Sequence, residues 1–106
     1  MVKILEEKQA IETKILDVRK LTWITDYFII TSVQSSVQAK AILDSILETF
    51  DEKPLSVEGT YSNNWILIDF QDVIIHIFLP EARLFYNLEK LWTDAEEIKI
   101  NQEMIL

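Results

Sequence analysis

The 106-residue sequence contains no cysteine, one glycine, two prolines and one histidine. Without cysteine there is no disulfide framework and no thiolate chemistry. A single histidine with no cysteine leaves no recognisable zinc set, so no metal and no cofactor are expected. Scarce glycine and proline exclude low-complexity and collagen-like classes. A content of 49 % hydrophobic and 26 % charged residues is that of a globular domain. Apolar runs are short. The longest, Val73 to Leu79, is broken by His76 and stops at Pro80, well below the roughly 20 residues that span a bilayer. The opening Met1-Val2-Lys3-Ile4-Leu5-Glu6-Glu7-Lys8 has no signal-peptide apolar core and is not rich in Arg or Ser as a transit peptide is. These absences favour a cytoplasmic protein.

Basic residues are scarce as well: 10 Lys and Arg stand against 18 Asp and Glu, a net charge of −8, with no basic run. Phosphate binding draws most of its free energy from Lys and Arg. Nucleic acid is therefore disfavoured as the main contact. A basic protein is the better partner, because opposite fields speed encounter.

What is present is one domain's worth of patterned sequence, expected over residues 1–92, with a charged and loosely attached tail over 93–106. A short helix is expected over 4–11, a short strand over 15–18 and a second strand over 26–33, rich in β-branched and aromatic residues. Ser35 or Ser36 can cap a helix reaching Phe50. Its Ala39, Ile42, Leu43, Ile46, Leu47 and Phe50 recur at helical spacing and form one buried stripe. Pro54 ends it. A strand over 55–58, a polar loop over 59–64, strands over 65–70 and 73–79, and a helix from Pro80 complete the order. This order predicts an α/β domain with a mixed β-sheet covered by helices.

If the two long strands pair across Gln71-Asp72, then Phe70 opposes Val73, Leu67 opposes His76 and Trp65 opposes Phe78. Alternation puts Ile66, Ile68, Phe70, Val73, Ile75 and Ile77 on one wholly apolar face, which must be core. The other face mixes Trp65, Leu67, Asp69, Ile74, His76 and Phe78. There Asp69 lies diagonally from His76, within reach of a hydrogen bond. The two either satisfy each other beneath a helix or belong to a binding surface. As one helix, residues 83–92 place Leu84, Phe85, Leu88, Leu91 and Trp92 on a single side, most simply core. Tyr86 then lies opposite, beside Arg83 and Lys90, as a contact residue. A kink near Asn87 would instead fold Tyr86 inward.

Several segments now fall together: Leu16-Asp17-Val18, Thr25-Asp26-Tyr27-Phe28-Ile29-Ile30, Gln38 with Lys40-Ala41, Glu58-Gly59, Trp65-Ile66-Leu67-Ile68-Asp69, Asp72-Val73-Ile74-Ile75-His76-Ile77-Phe78, and Arg83 with Phe85-Tyr86, Leu88-Glu89 and Leu91-Trp92. In this order and spacing, from about Leu5 to Trp92, the chain resembles the Iojap, or ribosome silencing factor, family. The resemblance implies a fold shaped like nucleotidyltransferases but without their catalytic residues. It implies a non-enzymatic factor, monomer or homodimer, that binds large-subunit ribosomal protein L-fourteen, blocks joining of the small subunit and represses translation. By the same resemblance Trp65, Tyr86, Glu89 and Trp92 match the contact surface, and Leu88, Asp69, Asp72 and His76 fall on further motif positions. The sequence departs from the family pattern at Val33, where a Gly is usual, at Val37, where an Arg is usual, and at Gln71, which replaces the Gly of the hairpin turn. Its first helix also starts late.

The alternative is a nucleotidyltransferase-fold enzyme acting on a nucleotide. That chemistry needs closely spaced carboxylates to hold Mg²⁺. Asp69 stands alone on its strand, and the only Asp-X-Glu, Asp94-Ala95-Glu96, lies in the tail. No nucleophile elbow precedes a helix to suggest a hydrolase.

Overall fold

The computed structural model describes residues 2–59 and 64–100. In chain order the elements are α1 (Val2–Glu7), β1 (Ile11–Asp17), β2 (Tyr27–Ser32), α2 (Ser36–Thr49), β3 (Ser56–Glu58), β4 (Trp65–Asp69), β5 (Val73–Phe78), α3 (Pro80–Tyr86), α4 (Leu88–Leu91) and β6 (Glu96–Ile98). The strands form one sheet in the order β3-β4-β5-β2-β1-β6. β2 and β5 run parallel at its centre, Tyr27 facing Val73 and Ser32 facing Phe78. The other four pairings are antiparallel. The mixed α/β sheet expected from the sequence is the architecture observed.

α2 makes the parallel pairing workable, because a chain returning to a parallel neighbour needs a long crossover. Ser35 caps it, its Oγ accepting the Gln38 N–H at 3.1 Å. Its stripe of Ala39, Ile42, Leu43 and Ile46 is buried against Ile29, Ile66, Ile68, Ile75 and Ile77 of the sheet. Each buried Ile or Leu of this layer stabilises the fold by about 1.5–3 kcal/mol. Gln38 ties α1 to this layer: its side-chain amide donates to the carbonyls of Lys8 (2.8 Å) and Gln9 (3.0 Å), while its Oε1 accepts the Gln34 N–H (3.0 Å).

The hairpin has the register that pairing across Gln71-Asp72 implies, with Trp65 opposite Phe78 and Leu67 opposite His76. Gln71 takes φ +77° in its turn, a region that L side chains disfavour. Asp69 compensates by accepting the Gln71 N–H on Oδ1 at 2.7 Å. Val33, at the family's glycine position, is fully buried and donates its N–H to Phe78 O at 2.9 Å. Val37 is exposed.

Four local expectations need correcting. The first helix ends at Glu7, and the residues assigned to its second half turn into β1, which starts at Ile11 and carries a bulge between Ile11 and Lys14. Gln9 (φ 63°) and Glu12 (φ 51°) make that change of direction. The stretch beyond Trp92 is not loosely attached throughout, since β6 extends the sheet by pairing with β1, Ile15 facing Ile98. The C-terminal helix is two helices, broken at Asn87, which sits in the left-handed region (φ 45°, ψ 56°). Leu84, Phe85 and Leu91 are consequently not core: they are 80 %, 81 % and 72 % exposed. Of the loop over 59–64, residues 60–63 lie outside the described residues.

Candidate functional site

The sheet face opposite α2 carries Phe28, Ile30, Ile74 and Phe78, with Trp65, Leu67, Leu88 and Trp92 packed against them. Its aromatic rings form a file across the sheet. Phe85 meets Tyr86 edge to face at 5.1 Å between centroids, Tyr86 lies 4.5 Å from Trp65, and Trp65 stacks on Phe78 at 5.1 Å. Trp65 also borders His76, which meets Phe28 at 5.2 Å, and Phe28 lies 5.2 Å from Trp92. Offset and edge-on pairs of this kind add stability beyond simple burial.

Trp65 owes its place to two neighbours. Gly59 has φ +86°, and a Cβ there would run into the Trp65 carbonyl oxygen, so glycine is required where the chain passes into the hairpin. On the other side the Trp65 indole Nε1–H donates to His76 Nδ1 at 3.0 Å. His76 is buried and its Nε2 has no hydrogen-bond partner among the described residues. Because Nδ1 accepts, the ring proton sits on Nε2. Burial pushes the imidazole pKa down to about 4, because a desolvated ring disfavours its charged form.

The Asp69–His76 hydrogen bond that the register allowed is not made. Asp69 turns to the Gln71 amide and His76 turns to Trp65. Arg83 also departs from expectation: it is buried at 8 % exposure rather than displayed beside Tyr86. Its Nε donates to Glu89 Oε1 and its Nη1 to Ser32 Oγ, both at 2.8 Å. Lys14 Nζ meets Glu89 Oε2 at 3.0 Å. These bonds hold the Glu89 carboxyl below its ordinary range, Arg83 contributing most.

The matched residues therefore divide. Trp65 and Tyr86 meet at the surface, Tyr86 half-exposed. Leu88, at the start of α4, and Trp92, just after its end, lie partly buried against the sheet. Glu89 faces inward to Arg83 and Lys14. His76 is a buried support for Trp65. Asp69 and Asp72 lie at the other end of the hairpin, about 13 Å along the strand from Trp65. Phe85 and Leu84 join the surface, although the helical stripe assigned them to the core. The signal for them was Asn87, whose type tolerates a left-handed backbone and so re-phases the next helical turn.

Beside the Trp65–Tyr86 pair is an open groove of about 900 Å³, walled by Trp65, Leu67, Pro80, Phe85 and Tyr86 and rimmed by Glu58 and Glu81. Apolar rings with an acidic rim can seat an apolar side chain flanked by cations. As for proton transfer, one His76 nitrogen is occupied by the indole and the other is shut from solvent. The fold and this groove define a small mixed-sheet α/β domain with an open aromatic groove on one face.

Comparison with known proteins makes the class specific. Residues 1–105 match the family described as ribosomal silencing factor during starvation. The ribosomal silencing factor of Bacillus subtilis is 38 % identical over 93 residues, covering 85 % of this chain and 79 % of that protein. A mouse protein named mitochondrial assembly of ribosomal large subunit protein 1 is 30 % identical over 99 residues, covering 88 % of this chain and 43 % of its own length. A crystal structure of a Chromobacterium violaceum protein superposes with a TM-score of 0.81 at 28 % identity, covering 98 % of this chain and 90 % of that one. The chain belongs to the ribosomal silencing factor family.

Proposed function

We propose that this protein docks on the large ribosomal subunit through ribosomal protein L-fourteen, bars the small subunit from joining and so represses translation in the cytoplasm, without catalysis. The observation that carries the reading is the file of exposed Phe85 and Tyr86 against the partly buried Trp65, beside the acidic rim of Glu58 and Glu81. Ribosomal proteins are basic as a class, and a chain of net charge −8 meets them with complementary charge. Aromatic side chains in a groove are the usual centres of binding energy. The family's name, and the large subunit in the name of the mouse relative, support the same partner.

In this reading Trp65 and Tyr86 form the centre of the contact. Leu88, Glu89 and Trp92 hold α4 beneath it, and His76 orients the indole. Asp69 and Asp72 stand at the far rim. The nucleotide-enzyme alternative would need a second carboxylate directly opposite Asp69 on a neighbouring strand, where Ile74 and Ser56 stand.

Sedimentation with purified subunits is the test. The protein should travel with large subunits and shrink the whole-ribosome peak when small subunits are added, and Tyr86→Ala should weaken both effects. Migration with small subunits, or at the top of the gradient, would remove the proposal. Repeating the gradient across salt concentrations separates protein from RNA as the contact: a few ion pairs give a shallow dependence, several phosphate contacts a steep one.

A further inference from the structure

We infer that Arg83 is a positioning residue for the docking face: its guanidinium clasps Glu89 and Ser32 across the Asn87 break and thereby sets where Tyr86 and Trp92 lie. The inference rests on the proposed docking to the large subunit.

The need for a clasp comes from element length. α4 has four residues, none of them buried, and isolated helices shorter than about 12 residues are marginal in water. Asn87, in the left-handed region, ends α3 with its N–H on Arg83 O at 2.9 Å. By itself that turn fixes only the exit direction. The buried cation returns the next residues to the sheet. Arg83 lies three residues before Tyr86 and Glu89 three after it, so their 2.8 Å bond closes a loop with Tyr86 at its apex. Ser32, at the end of β2, accepts the second bond and anchors the guanidinium to the sheet. Lys14 of β1 holds the other oxygen of Glu89. Four elements, β1, β2, α3 and α4, thus meet at one ion cluster.

The chemistry selects arginine. A buried cation is strongly destabilised unless paired, so Glu89 is drawn inward. A planar fork can donate in two fixed directions at once, whereas an ammonium on a flexible stem cannot hold both partners in that geometry. With Glu89 fixed, Leu88 and Trp92 come down on the sheet, Trp92 against Phe28 at 5.2 Å, while Tyr86 is held 4.5 Å from Trp65. The same break turns Leu84, Phe85 and Leu91 outward. The ion cluster thereby decides which apolar residues face a partner.

NMR of the intact chain together with subunit binding provides the test. Arg83→Met should lose the nuclear Overhauser contacts between the Trp65 and Tyr86 rings and between Phe28 and Trp92, while the amide signals of α2 and of the central strands persist. Its affinity for large subunits should fall at least about tenfold, the scale expected when an interface aromatic no longer sits in its bound position. Arg83→Lys should restore only part of both signals. Ile42→Val, which weakens the opposite core, should lower the melting temperature yet keep both ring contacts and the affinity. If Arg83→Met fails to fold, Glu89→Gln and Ser32→Ala each remove one strut and are read in the same way. Intact ring contacts in Arg83→Met, or lost contacts with unchanged affinity, would overturn the inference. Failure of the wild-type chain to bind large subunits would remove the docking reading instead, and the ring contacts would still decide the clasp.

Discussion

The two faces of the sheet are built on different principles. One is sealed by a continuous 14-residue helix over a core in which Ile42, Ile46, Ile66, Ile68, Ile75 and Ile77 are fully buried. The other is crossed by helices of seven and four residues, mixes aromatics with a buried histidine and a buried arginine, and leaves Leu84, Phe85 and Leu91 in solvent. Aliphatic packing under a long helix maximises burial, and the buried Thr31 hydroxyl on that side is paired with Thr13 at 2.6 Å. Aromatic packing under a broken helix sacrifices burial and displays rings. The first face holds the fold together, and in the function proposed above the second meets the partner. Substitutions should therefore separate stability from docking according to face.

The largest effect on stability belongs to the aliphatic face. Ile75→Ala removes a fully buried side chain between α2 and the sheet and should cost about 3–4 kcal/mol in chemical denaturation, as large-to-small core changes do. The residual folded protein should keep its affinity for large subunits, scaled only by the folded fraction. A loss of affinity beyond that fraction would show that the faces are coupled.

The aromatic face should be the acid-sensitive one. His76 binds its proton less readily when folded, its pKa falling from about 6.5 to about 4 through burial. The unfolded chain therefore takes up the proton first as pH falls. Stability from this group is fully present above pH 6.5 and is lost progressively as pH falls towards 4, amounting to roughly 3 kcal/mol. Asp17, held at about 2 by Arg19, and Glu89, lowered chiefly by Arg83, act in the same direction at lower pH. Unfolding measured from pH 7 to pH 4 should show this slope, and His76→Phe should flatten it. An unchanged slope in that variant would assign the acid sensitivity elsewhere.

Phe85 is the reciprocal of Ile75. It is 81 % exposed, so Phe85→Ser should change folding stability by no more than about 0.5 kcal/mol. It should nevertheless weaken large-subunit binding by about 1–2 kcal/mol, as loss of an interface aromatic does. Equilibrium denaturation and co-sedimentation on one preparation would show the divergence. Equal losses in both would mean that the ring belongs to the core.

The aliphatic face was legible in the sequence because its signals are periodic and local. The spacing of Ala39, Ile42, Leu43 and Ile46, and the alternation through Ile66, Ile68, Ile75 and Ile77, identify the buried side chains, while the hairpin register depended on the length of the turn and is read from the structure. The aromatic face was legible in membership but not in arrangement. A run such as Leu84, Phe85, Leu88, Leu91 satisfies helical periodicity, and only the backbone at Asn87 decides that the helix stops. Arg83 looked like a surface charge because its partner Ser32 lies 51 residues away. His76 chose Trp65 over Asp69 because the Gln71 amide competes for that carboxylate. Each miss came from a contact or a backbone angle that no short window contains. β6 was missed because three residues with two glutamates carry little strand signal, and pairing to β1 supplies what propensity lacks.

The smallest expected effect lies where the two faces share a strand end. Gln71 holds φ +77° at the hairpin turn, a conformation that costs a residue with a Cβ about 1–2 kcal/mol relative to glycine. Glycine relieves that strain but gains freedom in the unfolded chain, which offsets part of it. Gln71→Gly should therefore stabilise the protein by only about 0.5–1 kcal/mol. The Asp69 carboxylate accepts from the backbone amide of residue 71, a donor that glycine retains, so the turn's hydrogen bond should survive. Because Gln71 is remote from Trp65 and Tyr86, affinity for large subunits should be unchanged. A change in affinity without the gain in stability would move the turn, with Asp69 and Asp72, from the far rim towards the centre of the partner's footprint.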